Sequence, residues 1–362
     1  MGRMTNSLRC PTRAEVVARV QAAGRRVAAV LPYHYPRALL RAHGFHPVEV
    51  WGPPGVPRDE GGRHFQAYTC DIVVRATSFL LRGGLDGVDA ILVPHTCDAL
   101  QGMGSVLGDF VRPTPPVLTL YLPRSRRPVD HEFLVAELRR LGEALAAISG
   151  RVPAPADWEA AFAAEDAADR ALADLYARRE GLAVTDREFY TVVRSREFLP
   201  AEDFVALAGS LAAGDPPGGV PVMLSGIVAE PLDLFDHLSA MGARVVADDL
   251  ASGRRRVYPL QDGGDPHTRL ATRLLGGPPD PTRGDPIAAR ARHLREQMGA
   301  AGARGLVIYD PKFCEPELFD VPLLRRHLSA AGLPVLHVEV ELTGSLTQQT
   351  LTRLEAFVET LR

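Results

Sequence analysis

Among 362 residues the chain has a single lysine, Lys312, and carries its positive charge otherwise on arginine. With abundant alanine, glycine and proline, this reads as the imprint of a GC-rich genome. It leaves Lys312 as either a surface residue retained by chance or a functional group. Cysteine is nearly as scarce, with four residues: Cys10, Cys70, Cys97 and Cys314. So few thiols exclude a disulfide framework, and in a chain with no export signal they read as free, catalytic or metal-binding. Neither sign of charge dominates. A formal net charge of -3 gives no reason to expect nucleic acid or an anionic membrane as a partner. Long apolar runs are missing too, and none approaches the ~18 residues of a membrane span. Residues 1–20 carry arginines but no apolar h-region, so no signal peptide is expected and the implied location is cytoplasmic.

What is present is an alternation of short apolar runs with amphipathic stretches. Strands are expected at 26–32, 47–52, 88–93 and 117–122, and helices at 36–43, 70–81 and 132–148. Residues 158–181, rich in Ala, Glu, Asp and Arg, read as a helical connector, followed by a helix at 203–212 and a Gly/Pro loop at 214–219. The pattern then restarts. Strands are expected at 220–226, 243–249, 305–309 and 334–340, with helices at 232–241, 285–301, 321–331 and 347–361. In the helix at 285–301, Asp285 reads as the N-cap and Pro286 as the first helical position. Strands alternating with helices imply an α/β fold with parallel sheets covered by helices on both faces. At 362 residues the chain is long enough for two such units.

The cysteines fall at telling places in this pattern. Cys97 follows the third strand of the first half, Cys314 follows the third strand of the second, and Cys70 opens a helix, while Cys10 lies outside any regular element. Carboxyl ends of parallel strands are where open α/β sheets bind ligands, and soft sulfur donors favour Fe–S clusters, zinc or Cu(I). The intervals are long, and Cys-x-x-Cys does not occur. Spacing alone therefore leaves both ligation and ordinary burial of small apolar side chains open. The stretch Gly102-Met103-Gly104-Ser105-Val106-Leu107-Gly108 is not a dinucleotide fingerprint, because its spacing is wrong and it does not directly follow a strand.

The local sequences add a resemblance. Val93-Pro94-His95-Thr96-Cys97-Asp98-Ala99-Leu100-Gln101 resembles the central cysteine motif of the 2-hydroxyacyl-CoA dehydratase/benzoyl-CoA reductase family. Val245-Val246-Ala247-Asp248-Asp249-Leu250, then Gly253-Arg254, resembles its acidic strand-end motif, and Lys312-Phe313-Cys314-Glu315-Pro316 its late cysteine motif. The tail from Gln348 to Glu359 is similar to the closing helix, so the landmarks run in order from about residue 25 to the end. The chain most resembles a D-component-like subunit of 2-hydroxyglutaryl-CoA dehydratase. The resemblance implies two Rossmann-like domains, at 21–150 (with Cys70 and Cys97) and 218–362 (with Cys314). They would follow an N-terminal arm at 1–20, be joined by a helical connector at 151–217, and hold a cluster at the inter-domain cleft. It further implies a [4Fe-4S] cluster held by Cys70, Cys97 and Cys314 with one iron open. An acyl-CoA substrate is implied, as are an ATP-dependent activator protein and either a homologous second subunit or a homodimer.

Around these thiols, His95, Thr96 and Gln101 are candidates to donate hydrogen bonds to the cluster or to a substrate carbonyl, and Lys312 to offset its negative charge. The alternatives are structural: His95 and Gln101 capping the next helix, Asp98 as its N-cap, and Asp248 and Asp249 shaping a turn. Ala251 and Ser252 stand where some members of the family carry a further cysteine, and four cysteines cannot hold two clusters. The expected activity is low-potential one-electron chemistry on an acyl-CoA thioester, giving dehydration or reduction. The rival expectations are a non-catalytic iron–sulfur relay subunit and a cluster-free α/β binding protein.

Overall fold

The computed structural model describes residues 9–53 and 55–362. Its first half contains α1 (Arg13–Ala22), β1 (Arg26–Val30), α2 (Arg37–Ala42), β2 (Phe45–Glu49), α3 (Asp59–Gly62), α4 (Asp71–Leu81), β3 (Ala90–His95), α5 (Asp98–Ser105), β4 (Val117–Tyr121) and α6 (Pro128–Ser149). Three helices follow: α7 (Pro155–Ala177), α8 (Asp186–Ser195) and α9 (Ala201–Gly209). The second half contains β5 (Val220–Gly226), α10 (Asp233–Ala240), β6 (Ala243–Leu250), α11 (Pro266–Leu275), α12 (Ile287–Ala301), β7 (Gly305–Pro311), α13 (Glu315–Ala330), β8 (Val335–Val340) and α14 (Gln348–Thr360).

The strands form two four-stranded parallel sheets of one topology, β2-β1-β3-β4 and β6-β5-β7-β8. Their central strands are nearly continuous apolar runs, because helices cover both faces of a parallel sheet. Val27 to Val30, Ala90 to Val93 and Leu306 to Tyr309 are all essentially inaccessible to solvent. In each sheet the chain leaves the first strand for one neighbour and returns on the other side. A crevice therefore opens at the carboxyl edge between β1 and β3, and another between β5 and β7. At the second crevice β5 ends on Gly226, at φ +137°, where a Cβ would lie 2.1 Å from the carbonyl oxygen of Tyr309. Only glycine lets the two strand ends approach so closely.

The two sheets share a core. Val27 and Val48 of the first belong to the same apolar cluster as Val222 and Leu224 of the second, with Phe189, Phe204 and Leu234 from the helices between and beyond them. Helix α11 likewise reaches across, and Leu270, Ala271 and Leu274 pack with Leu134, Leu138 and Leu141 of α6.

Several local expectations change. The N-terminal arm is helical from Arg13, with a Thr12/Glu15 capping box, and residues 1–8 of that arm lie outside the described residues. Three further helices have no counterpart in the pattern: the single-turn α3, α8, rich in aromatic and β-branched residues, and α11. Helix α13 begins at Glu315, directly after Cys314, well before Val321; Pro316 is tolerated because first-turn amides need no partner. Pro286, not Asp285, precedes the first residue of α12. Asp285 instead accepts from the Asp280 amide and from Arg126. Asp98 is the first residue of α5, whose N-cap position belongs to Cys97.

Candidate functional site

Cys70, Cys97 and Cys314 each occupy the N-cap position of a helix, α4, α5 and α13 respectively. Helix N-termini favour negative charge, which at each thiol works against the effect of burial. All three border one cavity of about 580 Å³, whose wall also takes Phe65, Tyr68 and Arg124 from the first half and Thr282, Phe313 and Phe319 from the second. A smaller pocket of about 40 Å³ shares the three cysteines and adds Tyr33, Trp51, Thr96 and Ile227. Both pockets lie at the carboxyl edges of the sheets. Cys10 is elsewhere, half-buried beside Ser195 and the large shared core.

Cys70 and Cys314 are buried neighbours, and all four thiols are free. Interaction with the Cys314 thiol lowers the Cys70 pKa against the opposing effect of burial, helped by the amides of Ile72 and Val73 at the start of α4. Cys314 is raised well above the ordinary thiol range by that same neighbour, by burial, and by the carboxylates of Asp310 and Glu317. Burial pushes Cys97 up to about 12, although the Leu100 and Ala99 amides favour its thiolate.

The two halves are stitched together at this point. The Asp71 amide, next to Cys70, donates to the Lys312 carbonyl at 3.2 Å, and the Leu342 amide donates to the Asp71 carboxylate at 2.6 Å. Arg75 and Arg58 complete the environment of the Asp71 carboxylate. Backbone conformation is unusual here as well. Tyr33 and His34, just beyond β1, and Phe313, just before Cys314, adopt positive φ values of 40°, 57° and 64°. Non-glycine residues persist in this region only where their surroundings hold them, and they cluster at functional sites.

What holds them is a buried charge lattice. The Tyr33 hydroxyl donates to Asp280 at 2.6 Å, and His34 Nδ1 lies 2.5 Å from the Tyr258 hydroxyl. Burial alone would raise Asp280, but Arg255, His34 and Arg283 hold it well below the usual carboxylate range. Arg255 in turn reaches Glu317 at 2.6 Å and Asp249 at 2.9 Å, and Arg290 reaches Glu317 at 2.9 Å. Asp248 accepts from Tyr190 and from the amides of Leu250 and Arg254. Both acids of the strand-end motif are therefore engaged in holding the 250–256 turn and its arginine.

The structure separates the other sequence candidates. Thr96 is 3% exposed, borders the smaller pocket, and has a hydroxyl with no partner. His95 packs edge-on against Tyr121 at 4.4 Å and over Gly104, where a Cβ would come within 2.5 Å of its Nε2. Gln101 is exposed on α5, and its amide donates to the Cys97 carbonyl. Lys312 is paired with Glu341 at 3.0 Å on the surface. His95, Gln101 and Lys312 line neither pocket. Tyr33, His34, Asp280, Thr282, Phe313 and Arg124 are not among the residues that the sequence alone singles out. The one available signal is Tyr33-His34-Tyr35 directly after a strand at the binding edge.

Two parallel sheets whose carboxyl edges share a thiol-lined cavity define an α/β protein with a candidate site between them. Residues 32–361 match the model of the family described as 2-hydroxyglutaryl-CoA dehydratase, D-component, and the chain belongs to that family. It is 27% identical to the lactoyl-CoA dehydratase subunit beta of Anaerotignum propionicum, over 93% of this chain and 92% of the relative. It is 27% identical to the (R)-2-hydroxyglutaryl-CoA dehydratase subunit beta of Acidaminococcus fermentans, over 96% and 95%. A benzoyl-CoA reductase subunit of Thauera aromatica is 25% identical over 93% of this chain and 91% of its own length. Among the described residues no helix is long and apolar enough to cross a membrane.

Proposed function

We propose that this chain is the iron–sulfur subunit of a 2-hydroxyacyl-CoA dehydratase or acyl-CoA reductase. The observation that carries the reading is the meeting of three helix-capping cysteines, drawn from both halves of the chain, on one cavity. The donor set fits a [4Fe-4S] cluster. All three donors are soft, which suits iron–sulfur ligation. Among the described residues no group of three His, Cys, Asp or Glu closes on a single ion. The orphaned Thr96 hydroxyl supplies a donor for a sulfide or thiolate. In this reading the two halves are Rossmann-like domains, the cavity is their cleft, and Cys70, Cys97 and Cys314 are the ligands.

Bound there, the cluster supplies low-potential one-electron transfer to a thioester carbonyl. The chain's own residues do the rest. The three N-cap positions set the thiols at positive helix ends, and Phe65, Phe313 and Phe319 give the cavity an apolar wall. The lattice of Asp280, Arg255 and Glu317 fixes Tyr33 and the Cys314 turn. Relatives that are single subunits of larger enzymes support a homologous partner subunit, and the family resemblance supports an ATP-dependent activator as electron donor.

Purification without oxygen, followed by iron and sulfide analysis, tests this. The expected result is a brown protein with close to four irons and four sulfides per chain, whose spectrum changes with an acyl-CoA. A colourless, iron-free protein after reconstitution would rule the reading out. An iron-loaded protein that binds no thioester would instead favour the relay reading.

A further inference from the structure

The cavity beside the cysteines is large enough for more than a cluster. Its ≈ 580 Å³ lies within the range of ordinary small-molecule sites, roughly 300–1,000 Å³. Coenzyme A thioesters are strongly anionic, and such a ligand needs a cation where its phosphates rest. Among the described residues on the cavity wall, Arg124 is the one arginine or lysine. We infer that Arg124 anchors the phosphates of the acyl-CoA that enters this cavity, an inference that rests on the acyl-CoA reading above.

The topology puts Arg124 in place. Strands β3 and β4 are neighbours in register, with His95 opposite Tyr121. The loops leaving them therefore run side by side, Cys97 and Asp98 on one and Arg124 on the other. Among the described residues Arg124 is held only by Asp98, at 2.8 Å, and the two side chains are 61% and 77% exposed. A surface pair of that kind is worth about 1 kcal/mol at most and yields readily to a better partner. A phosphate is such a partner, since the guanidinium fork binds it with two charge-assisted hydrogen bonds.

Nearby cations are committed elsewhere. Arg126 binds both oxygens of Asp285 at 3.0 Å, and Arg127 holds Asp130 in the capping box of α6. Asp130 also accepts the Arg127 amide at the helix start, so that N-terminus is not free for an anion. Arg58 pairs with Asp71 and lies over the Phe313 ring.

Calorimetry on the full chain, with coenzyme A and with pantetheine, which lacks the phosphates, tests the assignment. Wild type should bind coenzyme A more tightly than pantetheine, by a margin that shrinks as salt rises. Arg124→Ala should weaken coenzyme A by roughly tenfold, abolish that salt dependence and leave pantetheine unchanged. The unchanged pantetheine affinity also serves as the folding check. Arg124→Lys should recover part of the loss, and Asp98→Asn should tighten coenzyme A by removing its competitor. If Arg124→Ala keeps the wild-type preference for coenzyme A, the inference is wrong while the acyl-CoA reading stands. If wild type binds neither ligand, the acyl-CoA reading fails for this chain and the inference fails with it. Iron content of the same preparations reports separately on the cluster.

Discussion

The two halves use one strand order, yet they furnish their binding edges differently. In the first, Cys97 after β3 is joined by Cys70 at the start of α4, and the position four residues before Cys97 is the apolar Val93. In the second, Cys314 after β7 stands alone, and four residues before it lies the buried carboxyl Asp310. Where the first half adds a second thiol, the second adds a lattice of charges, Asp249, Arg255, Glu317 and Arg290. A repeated scaffold thus carries two thiols at one edge and a single thiol within a charge framework at the other. The lesson is that equivalent positions in a duplicated topology need not share a chemical role.

The sharpest way to break the comparison is to remove a donor. Cys97→Ala should lose most of the iron and the brown colour while far-UV dichroism stays native. Cys10→Ala should change neither. Iron content equal to wild type in Cys97→Ala would put the donor role of the first half in error.

Removing framework instead of donor should show up as lost stability. Arg255→Met strands Asp249 without its arginine and leaves Glu317 with Arg290 alone, and breaking a buried pair from one side costs about 3–5 kcal/mol. Urea unfolding measures this. A loss below about 1 kcal/mol would mean that the lattice is not the support proposed here.

A third test uses acidity. Burial raises Asp310 to about 7, opposed by His337 at 3.2 Å and reinforced by Glu317. A carboxyl raised on folding binds its proton more tightly in the native state. Its contribution is therefore complete below about pH 4 and is lost as pH rises through about 7. Asp310→Asn should flatten that decline, and Val93, its positional counterpart, should contribute none. Unfolding midpoints measured from pH 4 to 8 read the difference, and identical profiles for Asp310→Asn and wild type would contradict it.

The smallest effect is expected at Lys312. Its ion pair with Glu341 is solvent-exposed, with side chains 42% and 49% accessible. Lys312→Ala should cost well under 1 kcal/mol and leave iron content unchanged. Loss of iron in this variant would restore it as a charge-balancing residue.

Strands are the most legible part of the sequence, because those buried on both faces must be apolar along their length. Val27 to Val30 and Leu306 to Tyr309 announce themselves. Helices α8 and α11 do not. The hydrophobic spacing of α8 is masked by Phe189, Tyr190, Val192 and Val193, residues typical of strands, although Thr185 and Glu188 form a capping box that marks its start. Helix α11 has its own signal in Asp265 followed by Pro266. The placement of the three cysteines at element boundaries is readable from the sequence. Which side chains surround them is not, because Tyr33 and Asp280 lie 247 residues apart and meet only through tertiary packing. Gln101 and Lys312 are candidates by nearness in sequence alone, which does not determine direction. Neither side chain, on α5 or just past β7, reaches the cavity wall.

The contacts of Asp71 have a mechanical consequence. Its amide and its carboxylate each bind backbone of the opposite half, at Lys312 and Leu342, and Asp71 and Lys312 lie within a residue or two of Cys70 and Cys314. Separating the two halves at this edge must therefore break backbone hydrogen bonds beside both thiols. In hydrogen exchange the Asp71 and Leu342 amides would then be among the last to open.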